Sequence, residues 1–223
     1  MYLRNVILVA IVLAMASFAQ SIASLDAPVQ VHYFAPQSYG DGYINVMNDG
    51  YNGDELQGPA AGAAGNICVN VFAFDANDEQ EIACCSCLIT PNGSVALDIN
   101  GILKNTATGV TPAKGETVKL VATEPTAGFT GTSCSGSALT VGTATLATGM
   151  VAWGTTLALT NTSGAYATVE TPFIPVTPGG TSLTTANTDL NSISTRCAFL
   201  INNGSNAGLC GPCTAGALGA EKM

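Results

Sequence analysis

The sequence has few of the ionisable side chains on which most enzymes depend. Only 9% of its 223 residues are charged, and His32 is its one histidine. No Gly-x-Ser-x-Gly elbow is present, so the nucleophile of the common serine hydrolases is missing. Glycine loops that cradle phosphates and basic patches with interleaved aromatic residues are also missing. We therefore predict that the protein is not an enzyme and has no cofactor, although a carboxylate pair assembled from distant acids stays open as an alternative.

Positive charge is scarce as well. The chain has 6 Lys and Arg residues against 15 Asp and Glu residues, which gives a formal net charge of −9. Such a chain repels nucleic acid and anionic membrane surfaces, so we expect no nucleic-acid partner. Low charge favours association with copies of the chain or with other envelope and extracellular components, which are the expected partners. A surface rich in hydroxyls and amides explains the same composition equally well.

The first 23 residues have the pattern of an export signal. Arg4 precedes an uninterrupted apolar run at residues 6–16, and small residues follow, with candidate cleavage sites after Ala19 and Ala23. The run is shorter than the ~20 residues that span a bilayer, so we expect no membrane span in the mature chain. Residues 24–223 are predicted to form a single β-rich domain that is secreted or held in the cell envelope.

The sequence contains eight cysteines, all of them beyond the export signal. An even number of cysteines in an exported chain predicts up to four disulfides, whose connectivity is not fixed by the sequence. The disulfide candidates are Cys68, Cys84, Cys85, Cys87, Cys134, Cys197, Cys210 and Cys213.

Residues 66–98 have the clearest strand pattern and hold four of these cysteines. Apolar runs at residues 67–74 and 82–89 flank a polar turn, which predicts a hairpin, and residues 94–99 are predicted to return as a third strand of the same sheet. If Phe74 pairs with Glu81, Cys68 lies opposite Cys87, and this pair is the best candidate for a disulfide. Strand alternation places Cys84 on the face opposite that of Cys85 and Cys87, and we expect the other links to join sheet to helix and tail.

Further strands and one helix are predicted on both sides of the hairpin. Alternation in residues 150–160 puts every second side chain on one face, and we assign Trp153 on that face to the core. His32 is interpreted as an edge or partly buried structural residue of a short strand. Apolar residues at spacings of three and four predict a helix over residues 182–203, with Cys197 inside its apolar stripe. The other predicted strands cover residues 28–35, 43–48, 117–123 and 165–173.

Three motifs suggest other chemistry, but each departs from its pattern. Cys210-Gly-Pro-Cys213 spells the active-site tetrapeptide of thioredoxin-like enzymes, yet only a short tail follows in place of the helix that lowers the thiol pKa. The cysteines at 84–87 with the terminal pair make a poor zinc site, because strand alternation divides them between two faces. Among acidic loops, residues 75–86 lack the glycine and the last ligand of a calcium loop. The weak calcium candidates are Asp49, Asp54 and Glu55.

Four segments of the chain resemble a known group of sequences. They are Asn66-Ile-Cys-Val-Asn-Val-Phe72, Cys84-Cys-Ser-Cys-Leu-Ile-Thr-Pro-Asn-Gly93, Val151-Ala-Trp-Gly-Thr-Thr156 and the stretch 197–213. In these segments the chain resembles cysteine-rich exported bacterial proteins of the acidobacterial type, over most of the mature length. The resemblance implies export and the cysteine framework, and it transfers no site residue.

Together these patterns predict a mainly β fold. We expect an antiparallel β-sandwich-like domain of about eight to ten strands with one C-terminal α-helix, stapled by disulfides. The leading functional hypothesis is a non-enzymatic, secreted or envelope-located structural protein that acts by surface contact and self-association. The alternative is an extracellular carbohydrate- or calcium-binding module, and a cysteine-based redox or metal-binding protein is the third hypothesis.

Overall fold

The computed structural model describes residues 26–36, 40–53, 65–103, 114–130, 133–135, 146–160, 166–176 and 183–202. Within these ranges the chain is mainly β, with two antiparallel sheets and one long C-terminal helix, as the sequence predicts. The strands are β1 (Val29–Phe34), β2 (Gly40–Asn48), β3 (Ile67–Asp75), β4 (Glu81–Ile89), β5 (Ser94–Asp98), β6 (Glu116–Thr123), β7 (Met150–Leu159), β8 (Tyr166–Pro172) and β9 (Ile174–Pro175). The helices are α1 (Ile99–Leu103), which the sequence analysis did not predict, and α2 (Leu183–Asn202).

The first sheet has five strands in the order β4-β3-β6-β1-β9. Its β3–β4 hairpin is the predicted one, and Phe74 pairs with Glu81 as expected. Immediately after this pair the register shifts, because Ala73 pairs with Ala83 and leaves Ile82 as the extra residue of a β-bulge. Every later pair is displaced by one residue, so Cys68 lies opposite Leu88.

The second sheet has four strands in the order β5-β2-β7-β8. The prediction that residues 94–99 continue the sheet of the β3–β4 hairpin is wrong, because β5 pairs with β2 in the other sheet. The turn before β5 explains the crossing. The backbone N–H of Asn92 donates to the carbonyl of Asn48, and the N–H of Asn48 donates to the carbonyl of Gly93. These bonds attach the turn to the end of β2, so the next strand starts beside β2.

The main core lies between the two sheets and contains buried residues from both. Aliphatic side chains from the inner faces of both sheets fill it, and burying each contributes roughly 1.5–3 kcal/mol to stability. The chain crosses from one sheet to the other where β8 leads through the buried Phe173 into β9. The largest inner-face residues are Phe34, Ile44, Ile67, Ile82, Ile89, Leu97 and Leu120.

A second cluster covers the opposite face of the five-stranded sheet, beneath α2. The predicted apolar stripe of the helix is confirmed where its side chains are described, since Leu190, Ile193, Cys197 and Leu200 are buried there. An ion pair of 2.7 Å between Lys119 Nζ on β6 and an Asp189 oxygen on α2 lies at the same interface. The paired strands β3 and β4 are therefore buried on both faces.

A small residue on β7 allows this strand to pack closely against β1 of the other sheet. His32 lies on the inner face of β1, with its ring centroid 4.6 Å from that of Phe34 and 4.9 Å from that of Phe173. A Cβ atom on Gly154 of β7 would lie 2.5 Å from His32 Nε2, so only glycine fits this position without a shift. His32 is partly buried, which is one of the two positions expected for it.

Two disulfides link parts of the described chain. Cys68 is bonded to Cys134, so the predicted Cys68–Cys87 disulfide is wrong. The bulge at Ile82 is the physical reason, because it moves Cys87 opposite Val69. Cys84 is bonded to Cys197, which confirms the expectation that a disulfide from Cys197 staples the helix to the sheet.

Two other expectations require correction. Trp153 is not part of the core, because the inner face of β7 carries Ala152 and Gly154, and Trp153 lies on the outer face, partly exposed. Strand β2 begins at Gly40, three residues before the predicted strand at 43–48. A Cβ atom on Gly42 would lie 3.0 Å from Phe34 Cδ1, so this glycine provides room for the core.

The first testable prediction concerns the remaining cysteines. Cys85 and Cys87 are each disulfide-bonded, and both face the inter-sheet core. Cys85 and Cys87 are two residues apart on one extended strand, so the distance between their Cα atoms is near the upper limit for a disulfide between them. We therefore expect bonds to Cys210 and Cys213, which lie outside the described residues. Non-reducing peptide mapping should recover the 85–87 peptide linked to the 210–213 peptide, and the intact chain should be about two mass units lighter per bridge than its reduced form. Free thiols at Cys210 and Cys213 would contradict this pairing.

Candidate functional site

The outer face of the four-stranded sheet is the most distinctive surface in the described part of the chain. No described element packs on this face, which we call the open face. Its side chains form transverse rows, since residues paired across antiparallel strands share a face. One row is Asp98, Tyr43, Thr155 and Glu170; the next is Ala96, Asn45, Trp153 and Pro172; and the third is Asp41, Leu157 and Thr168.

Two carboxyl groups meet at one end of the open face. The side chains of Asp41 and Asp98 lie close enough to interact with each other. Burial and then the negative charge of Asp41 raise the pKa of Asp98, although backbone N–H groups of Gly101 and Asn100 oppose the rise. Burial, followed by the charges of Asp41 and Asp98, raises the pKa of Tyr43 as well. Two carboxyl groups and a phenol therefore make this end of the face a hydrogen-bonding surface.

The centre of the open face combines aromatic rings with amide and hydroxyl groups. The side-chain Nδ2 of Asn45 donates to Thr155 Oγ1 over 2.8 Å, diagonally across β2 and β7. Trp153 is directly opposite Asn45, and Tyr43 is directly opposite Thr155. All four side chains are partly exposed. Such a surface offers flat apolar rings beside oriented polar groups, which suits an uncharged polar ligand.

Strand β8 forms the edge of this sheet and is exposed on both faces. Residues 167–172 are all exposed, and Val169 is 54% exposed although its face is the one turned toward the other sheet. The other edge strands are protected or short: β4 is buried along most of its length, β9 has two residues and β5 has five. Apart from Glu170 and the terminal Pro172, β8 has none of the charges, prolines or bulges that usually block an edge.

Two glutamates are buried without a hydrogen-bond partner among the described residues. Glu81 is 4% exposed, and Glu116 is 1% exposed. Burial raises the pKa of Glu81 to about 8, against a smaller opposing effect of Arg196, and burial raises the pKa of Glu116 to about 8. Glu81 lies beneath α2, whereas Glu116 lies on the inner face of β6, directly opposite Asp75 and Phe34.

Of the three predicted calcium candidates, Asp49 lies within the described residues. An Asp49 side-chain oxygen accepts the backbone N–H of Tyr51 over 2.8 Å, so this carboxylate caps its own turn. Asp54 and Glu55 lie outside the described residues. The alternative loop is a solvated turn, in which Asp75 accepts the N–H of Asn77 and residues 77–80 are exposed.

The open face and the buried glutamates were missed by the sequence analysis. Alternation in β7 gave two faces, and the larger side chains were assigned to the core. Gly42, Ala152 and Gly154 lie on the inner faces of β2 and β7. These small residues were the sequence signal for the open face, because a closely packed inner face needs small side chains. Nothing in the local sequence marks Glu81 or Glu116 as buried.

Comparison with known proteins adds little to these observations. No family model matches the chain, and no curated protein matches it. One solved structure with a similar arrangement is that of Thermotoga maritima 1070, at 12% sequence identity and a TM-score of 0.38. The match covers 67% of this chain and 95% of that one, and a likeness of this size supports no functional argument. In the described ranges, no helix has the length and hydropathy needed to cross a membrane.

The buried glutamates predict that stability falls as pH rises. Between the ordinary carboxyl pKa and about 8, the folded state keeps protons on Glu81 and Glu116 that the unfolded state releases. The free energy of unfolding should therefore decrease from about pH 5 to about pH 8. The lowered pKa of His32, caused by burial, acts oppositely and reduces stability only as pH falls below its ordinary value.

Thermal unfolding of the Glu116→Gln and Glu81→Gln variants measures this effect. Each substitution removes an ionisation while keeping the volume, so each variant should unfold at a higher temperature than the parent at about pH 8 and show a weaker pH dependence. Glu79→Gln, in the exposed turn, is the matched control and should behave like the parent. A parent protein that is equally stable at both pH values would contradict the prediction.

Proposed function

We propose that the protein is a non-enzymatic, exported surface-interaction protein that self-associates through the edge of β8. The single observation that carries this proposal is a seven-residue edge strand whose residues 167–172 are exposed on both faces. Unpaired backbone groups on such a strand are a template for adding a strand from another chain. The disulfides are compatible with an extracellular location and fit the export signal predicted at residues 1–23.

The sequence of β8 is complementary to itself. In an antiparallel two-fold pair centred on Val169, that residue meets its own copy, and Thr168 lies opposite Glu170 of the second copy. The two valines then cover each other's exposed apolar surface. Each carboxylate faces a hydroxyl instead of a like charge, which matters for a chain of net charge −9. A second copy of this chain is therefore the proposed occupant.

The oligomeric state of Val169→Lys and Thr168→Lys variants tests the proposal. The parent protein should be dimeric or larger at high micromolar concentration, as measured by light scattering after size exclusion. Val169→Lys places two like charges face to face at the centre of the pair and should weaken association on the order of tenfold or more. Thr168→Lys, the matched control on the same strand, places a cation opposite Glu170 and should maintain or strengthen association. A monomeric parent, or equal behaviour of the two variants, would contradict the proposal.

A second candidate function is carbohydrate binding on the open face. The observation that favours it is the partly exposed pair Trp153 and Tyr43 beside the Asn45–Thr155 hydrogen bond. Aromatic rings stack on the apolar C–H faces of sugar rings, while amide, hydroxyl and carboxyl groups bind sugar hydroxyls.

Retention on insoluble polysaccharide tests this second candidate. The parent protein should be retained by cellulose or chitin, and Trp153→Ala should lose retention on the order of tenfold or more, since one stacked ring is removed. Tyr33→Ala is the matched control, because Tyr33 is 52% exposed on the other sheet. Circular dichroism confirms that each variant is folded. A parent that neither polysaccharide retains would argue against this function.

A further inference from the structure

One group of side chains beneath α2 has no role in the surfaces described above. A carboxylate oxygen of Glu81, the Sγ of Cys84 and the Sγ of Cys197 all lie within 4.8 Å of one another. All three residues are buried, and both cysteines are 0% exposed. In the part of the chain that the structure describes, no other three residues of metal-binding type are grouped as closely.

The β-bulge is what brings the carboxylate to this place. In a regular strand Glu81 and Cys84 would lie on opposite faces, because they are three residues apart. The extra residue Ile82 turns toward the inter-sheet core, so Glu81 and Cys84 both point toward α2. A disulfide staple needs no carboxylate beside it, and a buried carboxylate without a hydrogen bond is costly. The position of Glu81 is therefore unexplained by the Cys84–Cys197 bond alone.

We propose that Glu81, Cys84 and Cys197 form a redox-gated site for a thiophilic divalent cation of the Zn²⁺ class. With the disulfide intact, the sulfurs are poor donors and the site is closed. A dithiol reductant gives two electrons and two protons to the Cys84–Cys197 bond and becomes a disulfide itself, leaving two thiols beside the carboxyl group. The cation then displaces the protons of both thiols and of Glu81, and binds two thiolates and one carboxylate, a donor set typical of Zn²⁺ with one position open. Thiol–disulfide exchange with a disulfide oxidant, which takes two electrons and two protons and becomes two thiols, forms the Cys84–Cys197 bond again and expels the cation, and Glu81 regains its proton.

The charges around the site support such a cation. Two thiolates and one carboxylate exceed the charge of a divalent ion by one negative unit. Arg196 on α2 is close enough to lower the pKa of Glu81, and its guanidinium supplies the missing positive charge. Lys119 and Asp189 at the same interface neutralise each other in an ion pair. The reduced, metal-loaded cluster would thus be nearly neutral, as a buried site requires.

Cadmium binding to the full-length chain tests the proposal. The chain is reduced anaerobically with a dithiol and titrated with ¹¹³Cd²⁺, which reports its sulfur and oxygen ligands by NMR. We expect a resonance of a site with two sulfur ligands that is absent from the oxidised protein. It should disappear in the Cys84→Ser and Cys197→Ser variants and persist in Cys68→Ser, which leaves the site intact.

Glu81→Gln and Glu116→Gln give the matched comparison. Both replace a buried, unpartnered glutamate, so a general effect on folding would appear in both. We expect Glu81→Gln to weaken Cd²⁺ binding at this resonance on the order of tenfold or more, and Glu116→Gln to leave it unchanged. Three outcomes would each overturn the proposal. The first is equal weakening of Cd²⁺ binding in the two variants, and the second is survival of the resonance in Cys197→Ser. The third is a failure of Cd²⁺ to restore the near-ultraviolet circular dichroism of the reduced chain. None of these outcomes depends on self-association through β8.

Discussion

The five-stranded sheet must bury both of its faces, and the rest of the structure depends on this constraint. One face packs against the four-stranded sheet, and the other packs beneath α2. Because α2 contains many threonines and asparagines, which are weak helix formers, its contact with the sheet must hold it in place. The Cys84–Cys197 bond adds a covalent link at the same contact. Sheet and helix therefore stabilise each other.

The four-stranded sheet follows a different rule, since it buries only one face. Its outer face carries partly exposed aromatic, amide, hydroxyl and carboxyl groups, and its edge strand β8 extends past the cover of the other sheet. The molecule thus separates a closed side, which contains the helix and the Cys84–Cys197 bond, from an open side.

A small number of buried carboxyl groups influences how the stability of this chain depends on pH. Burial in a low-dielectric interior raises the pKa values of Glu81 and Glu116 to about 8, because it penalises their charged forms. Asp98 on the open face shifts in the same direction, partly because Asp41 is beside it. All three raised pKa values favour the folded state at acidic pH. Glu81 differs from the others in having two sulfur atoms beside it.

Much of the fold follows from local pattern. Apolar runs around a polar turn predicted β3 and β4, and strand patterns predicted β1, most of β2, β5, β6, β7 and β8. The spacing of three and four predicted α2 within a few residues. The polar turn also fixed the Phe74–Glu81 pair, and the position of Cys197 in the stripe predicted a staple between helix and sheet. These features depend on residues that are close in the sequence. Side chains on one face recur every two residues in a strand and about every 3.6 residues in a helix, so the sequence pattern indicates the element.

Only the tertiary structure decided which face of each strand is inside and which cysteines are bonded. Alternation in β7 separates Trp153 from Gly154, but the inner face was determined by the fit of His32 and Phe34 against a glycine. The disulfide partner of Cys68 likewise depended on a one-residue bulge at Ile82, which no local sequence pattern indicates. The sequence by itself thus determined where strands and helix form. Packing between distant segments determined the open face, the disulfides and the buried position of Glu81, because these depend on which surfaces fit together in space.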